Sequence, residues 1–210
     1  MDPGEQAARI FDRYAARYAA EYADVGRYIP SLQAFLDLLP TGADVLELAC
    51  GPGNVTRHLL HQRPDLRVLG TDLAPAMLAI AREQLPMATF ERLDQRAVKT
   101  LGRRVHGIAC AFGLPYLSAV EAAALIADAS AMLHPGGALY LSTMEEDPAR
   151  SAWEGPSEEE RILMHYHAGA ALRNAFRKAG LNLRHESRSR YVDAHGKAVT
   201  DLMLVAQRAM

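Results

Sequence analysis

The residues most able to do chemistry are two glycines and an acid that follow two short apolar runs. Gly51 and Gly53 come directly after the run that ends at Leu48, and Asp72 closes the run that begins at Arg67. A buried strand followed by two glycines forces a tight turn at the strand's carboxyl end, where a small ligand can bind. An acid ending the next strand is where an open α/β sheet places a carboxylate that accepts hydrogen bonds from a ribose diol. The pattern therefore predicts a nucleoside-containing ligand.

The residues around the glycines favour one nucleoside ligand over another. A dinucleotide site needs a small residue where Thr56 stands, Pro52 donates no N–H, and Glu47 puts negative charge where a pyrophosphate would lie. Acids at Glu47, Asp72 and Asp94 instead suit a sulfonium cation that carries an amino acid and an adenosine. S-adenosylmethionine is the cofactor that fits this pattern.

The segment Glu47 to Gly53 resembles the first motif of the class I S-adenosylmethionine-dependent methyltransferases, roughly E/D-x-G-x-G-x-G. Ala49 stands in place of the first glycine, a small change unless the backbone there requires a positive φ. Four later segments also resemble the family, in the family's order: Val68 to Leu78, Phe90 to Asp94, Gly107 to Leu117, and Leu133 to Leu139. The last of these is similar to the family's turn into the fifth strand.

Strand-like and helix-like stretches alternate from Asp44 to Thr143, which predicts right-handed βαβ units and a parallel sheet covered on both faces. Two further strand-like runs flank Asp193-Ala194-His195-Gly196 and predict a hairpin. The resemblance implies an α/β, Rossmann-like three-layer sandwich whose mostly parallel seven-stranded sheet ends in this antiparallel hairpin. We expect one methyltransferase domain over 1–210, with these parts: covering helices in 1–40, the cofactor-binding core in 44–143, a mobile loop in 145–167, and a helix and hairpin in 168–210.

The composition limits the possible partners. Half of the 210 residues are hydrophobic, enough for one core, and 23 lysines and arginines oppose 25 acids. The chain lacks the basic excess of a phosphate-backbone binder, so nucleic acid is not expected as a partner. Cys50 and Cys110 lie in apolar runs, which predicts buried free thiols, and no metal site is expected. We expect a soluble cytoplasmic monomer or homodimer that does not contact membranes.

The basic residues of the last third could meet an anionic substrate or tRNA, although a solvated face is the favoured interpretation. They are Arg173, Arg177, Lys178, Arg184, Arg188 and Arg190.

Aromatic residues recur at helical spacing near the start of the chain and predict a covering helix with one aromatic face. Phe11 to Tyr18 is similar to the F-D-x-x-A-x-x-Y stretch that many small-molecule methyltransferases fold over the cofactor, which implies a cofactor role for Tyr18. The full set of residues expected to bind the cofactor is Tyr18, Glu47, Ala49, Gly51, Gly53, Asp72, Leu73, Met77, Leu93, Asp94, Ala111 and Phe112.

The chemistry that the resemblance implies is an in-line displacement of an already activated methyl group, so a general base is not indispensable. The catalytic residue is unknown, and the candidates are Tyr18, Tyr116, His165 and His167, followed by Tyr14 and Glu145. The place where nucleic acid amino-methylating enzymes carry Asn or Asp holds Leu114, which removes the main support for methylation of a base. The compact frame favours a small-molecule acceptor. An RNA or protein methyltransferase, or a non-catalytic protein that binds S-adenosylmethionine, remains an alternative.

Overall fold

The computed structural model describes residues 2–193 and 196–210. The α-helices are α1 (Pro3–Arg13), α2 (Ala15–Glu21), α3 (Ile29–Leu36), α4 (Asn54–Gln62), α5 (Pro75–Gln84), α6 (Ala119–Met132) and α7 (Gly169–Lys178). The strands are β1 (Asp44–Leu48), β2 (Arg67–Asp72), β3 (Thr89–Arg92), β4 (Val105–Ala111), β5 (Leu133–Met144), β6 (Ala152–Glu154), β7 (Ile162–Met164), β8 (Leu181–Val192) and β9 (Ala198–Arg208). Short 3-10 helices occupy Gly26–Tyr28, Gln95–Leu101, Leu114–Tyr116 and Pro148–Arg150.

Local sequence explains where several helices begin. The side chain of Asp2 accepts the backbone N–H of Glu5, and Pro3 occupies the first turn of α1, where its missing N–H costs nothing. Helix α6 begins with a capping box, in which Ser118 and Glu121 each accept a backbone N–H from the other residue. These caps fix the start of the two helices that later contribute to the site and to the core.

Seven strands form one sheet in the order β3-β2-β1-β4-β5-β9-β8. The first five strands run parallel, and β9 is antiparallel to both β5 and β8. This confirms the predicted Rossmann-like fold and its antiparallel ending. Ala194 and His195 of the expected hairpin turn lie outside the described residues. The chain moves to one side of β1 through β2 and β3 and to the other side through β4, so the switch point lies between β1 and β4.

Alternating strand residues pack on opposite faces of the sheet. In β5, Leu139 and Leu141 pack with α6 and α7, whereas Ala138 and Tyr140 pack with α3 and α4. Helix α5 contributes to a smaller buried group beside β3. Helices therefore cover both faces and make three layers, which leaves the carboxyl ends of the strands as the open edge.

Three local expectations need correction. The N-terminal aromatic face lies on two helices, because the backbone leaves the helical conformation at Tyr14. The segment 145–167, expected as a loop, contains the antiparallel pair β6 and β7. The turn expected at Leu133 to Leu139 is part of β5, where the pairing register shifts and Gly136 has a φ of +77°. No helix among the described residues is long and apolar enough to cross a membrane.

Candidate functional site

The turn after β1 depends on its glycines. Gly51 and Gly53 have φ values of +54° and +84°, a region where side chains are strained. The N–H of Cys50 donates to the carbonyl of Thr71 at 2.9 Å, which continues the pairing with β2 before the chain turns. A Cβ added to Gly51 would meet only the Tyr18 ring, at 3.9 Å, so the backbone there faces open space beneath α2.

Asp72 lies at the end of β2, beside this turn. Its Oδ2 accepts the Gly51 N–H at 2.8 Å and its Oδ1 accepts the Ala74 N–H at 2.9 Å. Burial raises the pKa of Asp72, although these backbone donors oppose the shift. The remaining lone pairs of the carboxylate are available to a ligand.

A cavity with about 730 Å³ of empty space, part of it open to solvent, lies at the carboxyl ends of the strands beneath α1 and α2. Residues expected to bind the cofactor that line it are Tyr18, Ala49, Gly51, Asp72, Leu73, Met77, Leu93, Asp94, Ala111 and Phe112. It is also lined by Gly4, Ala7, Ala8, Phe11, Gln95, Arg96, Tyr116 and Leu117.

Glu47 and Gly53 were expected in the site but do not line the cavity. The buried carboxyl of Glu47 accepts a hydrogen bond from the Thr56 hydroxyl, and burial raises the pKa of Glu47 to about 8. A Cβ on Gly53 would come within 2.8 Å of Leu85, so this glycine lets α4 and α5 approach. Both residues therefore contact the elements packed around the glycine turn and not the cavity.

Two residues that line the cavity have an unusual backbone. Ala49 has a φ of +50° and Phe112 a φ of +55°, where non-glycine residues are rare. The Phe112 N–H donates to the carbonyl of Ser142 at 3.1 Å and approaches its hydroxyl at 3.2 Å. The Phe112 ring lies 5.2 Å from the ring of Tyr28. The φ of Ala49 shows that position 49 requires a positive φ. Alanine in place of the motif's first glycine therefore introduces strain.

Arg96 is a site residue that the sequence analysis missed. Its guanidinium donates to Asp94 at 2.7 Å and to Asp2 at 2.8 Å, and lies 3.5 Å from Glu121. The hydrogen bond from Arg96 lowers the pKa of Asp2 to about 2. Arg96 thus ties the first residue of the α1 cap to the cavity wall. A signal for the approach of α1 was present in the sequence, because Gly4, Ala7 and Ala8 share one helix face.

Aromatic rings form the wall beneath the two N-terminal helices. The Phe11 ring lies 5.6 Å from Tyr18 and 5.3 Å from Tyr116, edge-on to both. Burial raises the pKa of Tyr18 to about 12 and raises that of Tyr116 as well. Within the described chain neither hydroxyl has a hydrogen-bond partner. Both phenols are therefore protonated donors at neutral pH and cannot act as general bases.

The other candidate bases lie outside the cavity. The hydroxyl of Tyr14 donates to Glu160 at 2.7 Å, and the buried His167 donates from Nε2 to the Leu114 carbonyl at 2.9 Å. His165 contacts the same short helix through its backbone N–H, and Glu145 pairs with Arg188. His165 and His167 were named as candidates only, and neither lines the described cavity.

Most of the basic residues near the C terminus have polar partners within the protein. Arg188 pairs with Glu145 and Glu186, and Arg173 pairs with Glu186 at 2.8 Å. These ion pairs engage Arg173 and Arg188, two of the six basic residues named for this region. Among residues 2–193 and 196–210, no group of three or more His, Cys, Asp or Glu side chains could hold a metal ion.

The comparison with protein families gives a direct match. Residues 45–137 match the family model described as a methyltransferase domain. This segment, less than half of the chain, is thus similar to a methyltransferase domain. The match begins in β1 and includes the glycine turn, Asp72 and Phe112, so it covers most of the cavity wall but not α1 or α2.

Curated relatives of the methyltransferase domain align over part of their length. The trans-aconitate 2-methyltransferase of Paracidovorax citrulli is 34% identical over 127 residues, which cover 55% of this chain and 48% of that protein. The dTDP-3-amino-3,4,6-trideoxy-alpha-D-glucopyranose N,N-dimethyltransferase of Streptomyces venezuelae is 32% identical over 126 residues, which cover 59% and 49%. The alignments thus span about half of each relative.

Solved structures resemble the whole chain. The complex of DhpI with SAH has a TM-score of 0.72 and 22% identity, and the comparison covers 99% of this chain and 98% of DhpI. An S-adenosylmethionine-dependent methyltransferase from Mesorhizobium loti has a TM-score of 0.67 and 24% identity, covering 89% and 100%. At these identities the likeness concerns the fold alone.

Proposed function

We propose that this protein transfers the methyl group of S-adenosylmethionine to a small-molecule acceptor. The observation that carries the proposal is the cavity at the switch point, where Asp72 and the Gly51 turn meet in a methyltransferase domain. The names of two relatives, which specify trans-aconitate and an amino sugar nucleotide, favour small acceptors.

The residues of the cavity fit this cofactor. Asp72 offers carboxylate lone pairs to a ribose diol, and Leu73 and Met77 provide apolar surface beside it for a flat base. At Gly51 the missing side chain leaves room for the ligand against the backbone. The two carboxylates of Asp72 and Asp94 complement the positive charge of a sulfonium.

Catalysis in this site rests on position and on exclusion of water. When bound, S-adenosylmethionine supplies a methyl group that is already electrophilic. The rings of Phe11, Tyr18 and Tyr116 form one wall of the cavity and would limit the access of bulk water, while the Gly51 turn and Asp72 would hold the cofactor in one orientation. Alignment of well-oriented partners is worth roughly 7–11 kcal/mol, so no base is needed for a nucleophile that carries a free lone pair.

Transfer of label to separate acceptor pools tests the proposal. Purified protein is incubated with cofactor bearing a trideuterated methyl group and with small metabolites, RNA or protein in separate reactions. We expect label only in the small-metabolite pool. Label in RNA or protein would support those alternatives, and cofactor binding without label in any pool would indicate a non-catalytic binding protein. A cytoplasmic location and the oligomeric state stay predictions.

A further inference from the structure

We infer that the acceptor is a primary or secondary amine, bound through its nitrogen between the Tyr18 and Tyr116 hydroxyls. The inference rests on the proposed function and names its substrate class. Three features of the cavity carry it: the local charge, the two hydroxyls, and the groups available to accept a proton.

Negative charge dominates the cavity and its edge. Asp72 and Asp94 line the cavity, and Arg96 is the one lysine or arginine among its described lining residues. That guanidinium already contacts the carboxylates of Asp94, Asp2 and Glu121. A carboxylate or phosphate acceptor would have to displace one of these ion pairs, whereas an amine meets a field of the complementary sign.

Two arginines of the N-terminal region, Arg13 and Arg27, are engaged as well. Arg13 pairs with Glu160 at 2.8 Å on the outer side of α1. The Arg27 guanidinium lies 3.9 Å from the centre of the Tyr191 ring and 4.0 Å from the buried carboxylate of Asp201. Neither is free to neutralise an anionic acceptor.

The hydroxyls of Tyr18 and Tyr116 differ from those of three other tyrosines in this chain. Tyr14, Tyr28 and Tyr166 each donate to a carboxylate at 2.7–2.9 Å. The two cavity hydroxyls have no such partner among the described residues, so their oxygens can accept hydrogen bonds from an N–H. The ring of Phe11, which touches both tyrosine rings, adds an aromatic surface that favours a nitrogen gaining positive charge.

An amine also suits a cavity with no free base. An acceptor that enters as an ammonium ion first releases a proton to water at the open mouth. The nitrogen lone pair then forms the new N–C bond while the C–S bond breaks, and the electron pair of that bond stays on sulfur. The ammonium product then releases one proton to water at the open mouth. A hydroxyl acceptor would need its proton removed during transfer, and the cavity tyrosines are held in the protonated form.

The experiment combines acceptor chemistry with a binding readout. The protein and trideuteromethyl cofactor are incubated with three matched sets that share carbon skeletons and carry an amine, an alcohol or a carboxylate, and mass spectrometry locates the label. The best acceptor is then titrated calorimetrically into the protein saturated with S-adenosylhomocysteine. Wild type is compared with Tyr116→Phe and with Tyr191→Phe, whose hydroxyl lies outside the cavity near Asp201.

We expect label on nitrogen and about tenfold weaker acceptor binding in Tyr116→Phe, because a hydrogen bond to the bound amine is lost. Tyr191→Phe should bind within about twofold of wild type, and S-adenosylhomocysteine should bind all three proteins alike. Label on a hydroxyl or carboxylate oxygen would overturn the inference while the proposed function stands. Equal acceptor binding by the two variants would overturn the role of Tyr116. No label in any set would contradict the proposed function, and the inference with it.

Discussion

Asp72 accepts the backbone N–H of Gly51 at 2.8 Å, so one hydrogen bond joins the end of β2 to the turn that follows β1. The same carboxylate also receives the Ala74 N–H at the start of α5. Asp72 therefore shapes the glycine turn as well as facing the cavity. A substitution there changes both the ligand's partner and the backbone that surrounds the ligand.

Replacing Ala49 by glycine should stabilise the protein slightly. A left-handed φ destabilises a residue that has a Cβ by about 1–2 kcal/mol, and glycine removes this strain. The greater conformational freedom of glycine in the unfolded chain lowers the stability of the variant by about 0.4–1 kcal/mol. We expect a net gain of about 0.5 kcal/mol in the free energy of unfolding, measured with urea.

Ala123→Gly is the matched control, because it makes the same chemical change on the exposed face of α6. The Ala123→Gly substitution should lower the free energy of unfolding by about 1 kcal/mol. Equal losses in the two variants would show that position 49 is not strained.

Glu47→Gln should remove part of the pH dependence of stability. Burial raises the pKa of Glu47 to about 8 from an ordinary value of 4.5. Since the folded state binds this proton more tightly than the unfolded state, the stabilisation is complete below about pH 4.5 and declines as the pH rises to about 8. Urea unfolding at pH 5, 6, 7 and 8 should show a smaller decline for Glu47→Gln than for wild type. Parallel curves would mean that Glu47 is charged in the folded protein.

Arg96→Gln should loosen α1, because the pair with Asp2 links the cap of that helix to the cavity wall. We expect amide hydrogen exchange in α1 to accelerate by about three- to tenfold, the effect of losing about 1 kcal/mol of ion-pair contact. Arg150→Gln is the control, since Arg150 pairs with Glu146 away from α1. Unchanged exchange in α1 would show that other contacts hold the helix.

The sequence predicted the parts of the site that depend on local pattern. The glycine turn, the acid that ends β2 and the mostly parallel sheet with its antiparallel ending follow from spacing and from the family resemblance. The partners of Glu47 and His167 could not be predicted, because Thr56 lies on a different element and the Leu114 carbonyl carries no side-chain signal. Arg96 was missed for a similar reason.

Arg96 is 94 positions from Asp2 in the sequence, and only the folded chain brings the two together. The different surroundings of Tyr14 and Tyr18 could not be predicted from the pattern either. Regular helical spacing placed them on one face, but the break at Tyr14 sends its hydroxyl to Glu160 and leaves Tyr18 in the cavity.

The most direct test is calorimetric titration of S-adenosylhomocysteine into wild type, Asp72→Ala and Asp37→Ala. Asp37 is exposed at the end of α3 and lies outside the cavity. We predict that wild type and Asp37→Ala bind alike and that Asp72→Ala binds roughly ten- to a hundredfold more weakly, because a charged hydrogen-bond partner is lost. Equal affinity in all three proteins, or no binding by wild type, would contradict the cofactor site described above.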